Sequence, residues 1–95
     1  MKINISAVHF KADKKLEVFI QEKVEKLVSM SDKVLSTEVI LKIDSKESVE
    51  NKIAEIRLII KGNDLFAKKQ CKSFEEATDI AVDALKKQLT KYKEK

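Results

Sequence analysis

Apolar and polar residues alternate from Lys2 to Phe10, with Ile3, Ile5 and Ala7 on one side and Asn4 and Ser6 on the other. This is the period of a half-buried strand. The period then lengthens. Leu16, Ile20, Val24 and Leu27 recur at spacings of four and three with no glycine or proline between them, which predicts a helix that Asp13 can cap and that runs to about Met30. A polar turn around Ser31 to Lys33 leads into a second strand, Thr37 to Ile43, where Val39, Leu41 and Ile43 share a face. Ser45 to Asn51 is polar and aperiodic, reading as a mobile loop, and Ala54, Ile56, Leu58 and Ile60 then resume the alternation as strand three.

Gly62 is the only glycine and begins a Gly62-Asn63 pair between two apolar runs. Glycine reaches positive φ without steric cost, so a two-residue hairpin is predicted there. It would pair Ile60 with Leu65, Ile59 with Phe66 and Leu58 with Ala67. On the outer face Ile59 and Phe66, with Ile40 beside them, would form a small apolar cluster through which a monomer could weakly self-associate. Ser73 followed by Glu76 is a capping box, in which each side chain satisfies a free backbone N–H at a helix start. The helix it opens carries Ala77, Ala81, Ala84 and Leu85 as an inner stripe, with Tyr92 extending it.

The predicted order is strand, helix, three strands, helix. Three consecutive strands form an antiparallel meander, whereas the first strand reaches the sheet through a helical crossover, which favours parallel pairing. Two amphipathic helices need one apolar surface, and Asn4, Ser6, Lys42, Glu55, Arg57, Lys68 and Gln70 are polar enough to face water on the other. The fold class is therefore an α/β two-layer sandwich, β-α-β-β-β-α, a four-stranded mixed sheet with both helices on one face.

Composition narrows the picture. The 95 residues support one domain, 1–95, and at 43% hydrophobic and 38% charged the chain is too apolar for disorder and too charged for a membrane protein. No apolar run approaches the roughly 20 residues of a membrane span, and Met1 to Asn4 lacks the apolar core of a signal peptide, so a cytoplasmic location without membrane contact is expected. The net charge of +4 is concentrated at one end: Met1 to Asp83 carries 15 basic and 15 acidic residues, while Ala84 to Lys95 carries five lysines and one glutamate. A polyanion would meet this lysine-rich helical end (84–95) as a local basic patch on a balanced protein.

The residues argue against catalysis. His9 has no serine or cysteine near it in sequence, one glycine excludes the usual phosphate and dinucleotide loops, and a single cysteine with a single histidine cannot build a structural zinc site. Cys71 reads as a free buried thiol, and no cofactor is expected. The lysines say more. At about 100° per residue, Lys23 lies a heptad after Leu16 and a heptad before Met30, among the apolar positions of its helix. A stem lying on apolar surface with its ammonium in water would explain this, as would a cation at the rim between two helices, with Lys26 one turn on. In the second helix Lys87 and Lys91 flank the alanine stripe, with Lys86 and Lys93 on the outer side. If the helices lie side by side, Lys23, Lys26, Lys87 and Lys91 could converge into a furrow that tracks phosphates.

The segment Asp83-Ala84-Leu85-Lys86-Lys87-Gln88-Leu89-Thr90-Lys91-Tyr92-Lys93-Glu94-Lys95 resembles the signature of bacterial ribosome hibernation-promoting factors and the related ribosome-associated inhibitor, with Lys87, Gln88, Leu89, Lys91 and Lys93 matching. The resemblance extends through Ile3-Asn4-Ile5, Lys23-Val24-Glu25-Lys26-Leu27 and Val39-Ile40-Leu41-Lys42-Ile43, and so spans nearly the whole chain. Glu75 stands where family members often have tyrosine, and Ala84 where they often have lysine. A chain ending at Lys95 is similar to the short form. The resemblance implies a fold related to double-stranded RNA-binding domains. It also implies binding to the RNA of the small ribosomal subunit in the tRNA and mRNA channel, silencing ribosomes in stationary phase or stress. Together with the lysine pattern of the two helices, it makes Lys23, Lys26, Lys86, Lys87, Lys91 and Lys93 the candidate RNA-binding residues. The residues by themselves also fit a generic double-stranded RNA-binding module, or a protein-interaction domain using Ile40, Ile59 and Phe66.

Overall fold

A computed structural model describes residues 2–93, the side chain of Lys93 excepted. Its elements are β1 (Lys2–Ala7), α1 (Lys14–Val28), β2 (Val34–Ile43), β3 (Lys52–Ile60), β4 (Leu65–Cys71) and α2 (Phe74–Lys93). The sheet order is β1-β2-β3-β4, with β1 parallel to β2 and the other pairs antiparallel. The crossover and meander are those the periodicity predicts. Asp13 caps α1 by accepting the Leu16 N–H at 2.8 Å. At the other end, the Ser29 hydroxyl donates to the Lys26 carbonyl at 2.7 Å, and the chain leaves the helix there. Ser73 caps α2 by accepting the Glu76 N–H at 3.1 Å, while the Glu76 carboxylate reaches back to the Lys72 N–H rather than to that of Ser73.

One sheet face and both helices enclose the core. Ile20, Val24 and Leu27 from α1 and Ala77, Ala81, Leu85 and Leu89 from α2 are fully buried with Val39, Leu41, Ile56 and Leu58 from the strands. Ile43 shares the parity of Leu41 but is exposed at the strand's end. Two buried hydroxyls, on Thr37 and Thr78, have no hydrogen-bond partner among the described residues. The loop after β2 is tied at its base. Asp44 accepts from the Lys46 N–H and the Gln70 side chain, and Gln70 also donates to the Glu50 carbonyl. These donors hold the Asp44 carboxyl below its ordinary range.

Three expectations need correction. The turn after β3 is centred on Lys61-Gly62, not Gly62-Asn63: the Asn63 N–H donates to the Ile60 carbonyl at 3.0 Å and Gly62 has φ 84°, positive at the third turn position as in a type II turn. Pairing then starts at Leu58 with Leu65, followed by Arg57 with Phe66 and Ile56 with Ala67. The offset from the expected register is two residues, which preserves side-chain parity and keeps Leu58 and Ile60 inside. The outer face changes more. Ile59 now lies opposite Ser36, Ile40 opposite Glu55, and Phe66 opposite Arg57, whose guanidinium sits 5.1 Å from the ring centre. The expected Ile40–Ile59–Phe66 cluster is thus broken up by polar and charged neighbours. β2 also begins earlier than expected, at Val34, because a bulge at Leu35 lets Val34 and Thr37 both face inward while Leu35 stays exposed.

Candidate nucleic-acid interface

The helix layer decides where the lysines stand. α2 begins just after β4 and runs back along it, so that the Gln88 side-chain amide donates to the Phe66 carbonyl at 2.9 Å near the strand's start. Leu89 is fully buried. Two of the residues that carried the family resemblance therefore serve the fold: Leu89 fills the core, and Gln88 satisfies a carbonyl on the edge strand.

Lys23 occupies the interhelical rim but is not an open cation. Its ammonium lies 2.8 Å from Asp79 on α2 and 5.6 Å from the centre of the Phe19 ring. The hydrogen bond and charge of Asp79, with Asp83 one turn further along α2, raise its pKa above the ordinary 10.5. The expected furrow is therefore charge-compensated at Lys23. Lys26 is exposed in the last turn of α1 and enters no ion pair among the described residues.

Lys86, Lys87 and Lys91 are exposed along α2 and likewise form no ion pair among the described residues. Lys93 is the last described residue of α2, and its side chain lies outside the described residues. The negative end of the helix dipole accounts for cations only in the last turn; Lys86 and Lys87 lie further back. The fold adds a lysine that the sequence reading did not select. Lys33, in the connection between α1 and β2, stands 5.7 Å from the centre of the Tyr92 ring. With Asn63, Leu65, Gln88 and Lys91 these two residues line a cleft of about 440 Å³. Nothing in the local pattern around Lys33 marks it, since its place beside α2 depends on how the connection closes onto the helix end.

The open face of the sheet holds its charges differently. Glu55 is bracketed by Lys42 at 3.0 Å and Lys68 at 4.0 Å, and Arg57 faces Asp64 at 3.7 Å. Cys71 is a buried free thiol whose pKa is raised by burial and by neighbouring Glu76 and Glu50, which disfavours the thiolate needed of a nucleophile. Among the described residues no cluster of histidine, cysteine and acidic side chains could hold a metal ion, and no helix is long and apolar enough to cross a membrane.

A family model described as sigma 54 modulation protein / S30EA ribosomal protein matches residues 3–95. The ribosome hibernation promoting factor of Pseudomonas putida is 33% identical over 95 residues, covering 100% of this chain and 89% of that protein. Among solved structures, a ribosomal subunit interface protein from Coxiella burnetii superposes with a TM-score of 0.88 at 20% identity, covering 100% of both chains. The N-terminal domain of Protein Y from Thermus thermophilus superposes with a TM-score of 0.81 at 22% identity, covering 97% of this chain and 99% of that one.

Proposed function

Because the chain belongs to the sigma 54 modulation protein / S30EA ribosomal protein family, we propose that it is a ribosome hibernation factor. It binds the RNA of the small subunit in the tRNA and mRNA channel and holds idle ribosomes inactive in stationary phase or stress. The observation that carries this reading is the run of exposed lysines on α2, Lys86, Lys87 and Lys91, that have no carboxylate partner among the described residues, on a molecule whose sheet face engages Lys42, Lys68 and Arg57 with Glu55 and Asp64.

Unpaired ammonium groups on a rigid helix exchange condensed counterions for phosphates. Affinity then comes from charge without base recognition, while the shape of the sandwich selects the RNA surface. Lys86, Lys87, Lys91 and Lys93 are the principal RNA-binding residues, with Lys26 beside them. Lys23 takes part as a positioning residue that fixes α1 against α2 through Asp79. The action is stoichiometric: the protein occupies the channel, needs no cofactor, and works in the cytoplasm as a single domain.

The test is co-sedimentation with purified small subunits over a salt series. Changing Lys87, Lys91 and Lys93 together to glutamine should flatten the slope of log K against log salt by about 0.7 to 0.9 for each phosphate that the protein no longer neutralises. Lys2, Lys46 and Lys52 changed the same way form the control. Equal weakening by both triples would reduce the effect to net charge and sink the assignment. Binding that does not compete with tRNA would instead favour a double-stranded RNA module without a ribosomal address.

A further inference from the structure

The cleft at the end of α2 has a lining that a plain phosphate-tracking surface does not require. Three separate parts of the chain build it: Lys33 comes from the α1–β2 connection, Asn63 and Leu65 from the β3–β4 hairpin, and Gln88, Lys91 and Tyr92 from α2. Its volume of about 440 Å³ lies within the roughly 300 to 1,000 Å³ of small-ligand sites. The lining is chemically divided. Lys33 and Lys91 bring two cations with no carboxylate partner among the described residues, Leu65 and the Tyr92 ring bring apolar surface, and Asn63 and Gln88 bring amides.

That combination matches a nucleotide better than a bare anion. A phosphate needs the ammonium groups and has no use for a ring and a leucine. A base needs an aromatic or aliphatic platform and amide edges, and has no use for two cations. The last turn of α2 also presents the negative end of its dipole, so an anion is held there only where lysines outweigh it. Lys33 is within reach for this: its ammonium stands over the Tyr92 ring, and a phosphate would draw it aside and leave that face of the ring to a base.

We infer that this cleft is a subsite for one unpaired nucleotide of RNA, with the phosphate between Lys33 and Lys91 and the base against Tyr92 and Leu65. The inference rests on the RNA-binding reading and adds to it a local recognition element that helix-face lysines do not supply. A base that is splayed out of a helix can stack on an aromatic ring and present its edges to side-chain amides.

The test uses the full chain and adenosine monophosphate as probe, followed by amide NMR, with adenosine and inorganic phosphate titrated in parallel. The nucleotide should shift the signals of Lys33, Asn63, Leu65, Gln88 and Lys91 saturably. It should bind at least about five-fold more tightly than phosphate alone, the lower end of what base stacking on an aromatic ring contributes, and more tightly than adenosine, which brings no phosphate to the two lysines. Lys33→Gln should weaken it, and Tyr92→Phe should preserve it. Tyr92→Leu should weaken it too; because Tyr92 also packs on the core, the exposed Lys33 keeps the test decisive if that variant loses stability. Phosphate binding as tightly as the nucleotide, or shifts spread evenly over lysines such as Lys42 and Lys68, would overturn the subsite. Ribosome binding without nucleotide capture sinks the cleft alone, whereas nucleotide capture without ribosome binding sinks the ribosomal reading and leaves the cleft.

Discussion

The open face of the sheet and the far end of α2 both carry exposed basic residues, yet they handle the charge in opposite ways. On the sheet, Lys42 and Lys68 share Glu55, and Arg57 has Asp64 on one side and the Phe66 ring on another. Cross-strand spacing brings Lys42 and Lys68 to Glu55, and the hairpin after β3 brings Asp64 to Arg57. Along α2 the acids Glu75, Glu76, Asp79 and Asp83 occupy the first half, and the described lysines Lys86, Lys87 and Lys91 the second. Acids gathered at the start of a helix and bases at its end suit the dipole; Lys91 lies beyond the reach of those acids, and Asp83, although three and four residues before Lys86 and Lys87, forms no ion pair with either among the described residues. The free cations thus stand on a helix whose acids and bases are segregated along the chain, and the engaged ones where neighbouring strands and their hairpin bring acids and bases together.

The largest effect should come from removing the free charges. Lys33, Lys87 and Lys91 changed together to glutamine should lower affinity for small subunits by about a hundred-fold at 0.1 M salt, the order expected when three phosphates go without a cation. Melting temperature should barely move; a drop in affinity smaller than ten-fold would mean that the helix end is not the principal RNA-binding surface. A smaller effect of opposite sign should follow Asp79→Asn, which leaves Lys23 unpaired at the rim. If the furrow tracks phosphates, one added cation should strengthen binding by roughly five-fold, and unchanged binding would confine Lys23 to its positioning role. Lys42→Gln and Lys68→Gln should leave ribosome affinity within about two-fold, because those charges are already engaged, and each should cost at most about 1 kcal/mol of stability as a surface ion pair.

The smallest expected effect is that of pH. The raised pKa of Lys23 means its pairing contributes fully below the ordinary lysine value and is lost only as pH rises through the raised one. The lowered pKa of Asp44 means its contribution is present above the ordinary carboxylate value and lost only as pH falls through the lowered one. Neither contribution fades between about pH 7 and pH 9. The ribosome salt slope measured at both ends of that window should agree, and thermal stability should agree up to about pH 8, above which the Cys71 thiol, its pKa raised in the fold, ionises first in the unfolded chain; a steeper slope at the upper end would mean Lys23 loses Asp79 before it loses its proton.

Elements were legible in the sequence wherever one face is buried without interruption. Ile20, Val24 and Leu27 at helical spacing and Ala54, Ile56, Leu58 and Ile60 at strand spacing leave one way to face the core. Irregularities were hidden for the same reason. Leu35 is exposed at a bulge, so the alternation fails where β2 begins, and the hairpin register can shift by two residues without moving an apolar side chain to the other face. The lysines on α2 were legible as a charge imbalance along the chain. Lys33 and the Lys23–Asp79 pair were not, because each depends on residues from distant segments meeting in the folded state. Gln88 was matched as part of a signature, but its bond to the Phe66 carbonyl exists only once α2 has docked on β4.

β1 differs from the other strands in having no buried residue, its side chains alternating between exposed and half-buried, and it stands at the edge of the sheet beside β2 alone. The central β3, with Ala54, Ile56, Leu58 and Ile60 buried and a neighbour on each side, is the natural last element to open, and β1 the first. Synthesis makes the contrast sharper. The first strand to leave the ribosome must wait for α1 and β2 before it has anything to pair with, while β2, β3, β4 and α2 each find a partner next to them in the chain. Amide exchange should follow that hierarchy, fastest in β1 and slowest in β3, as the molecule loosens from the end that was made first.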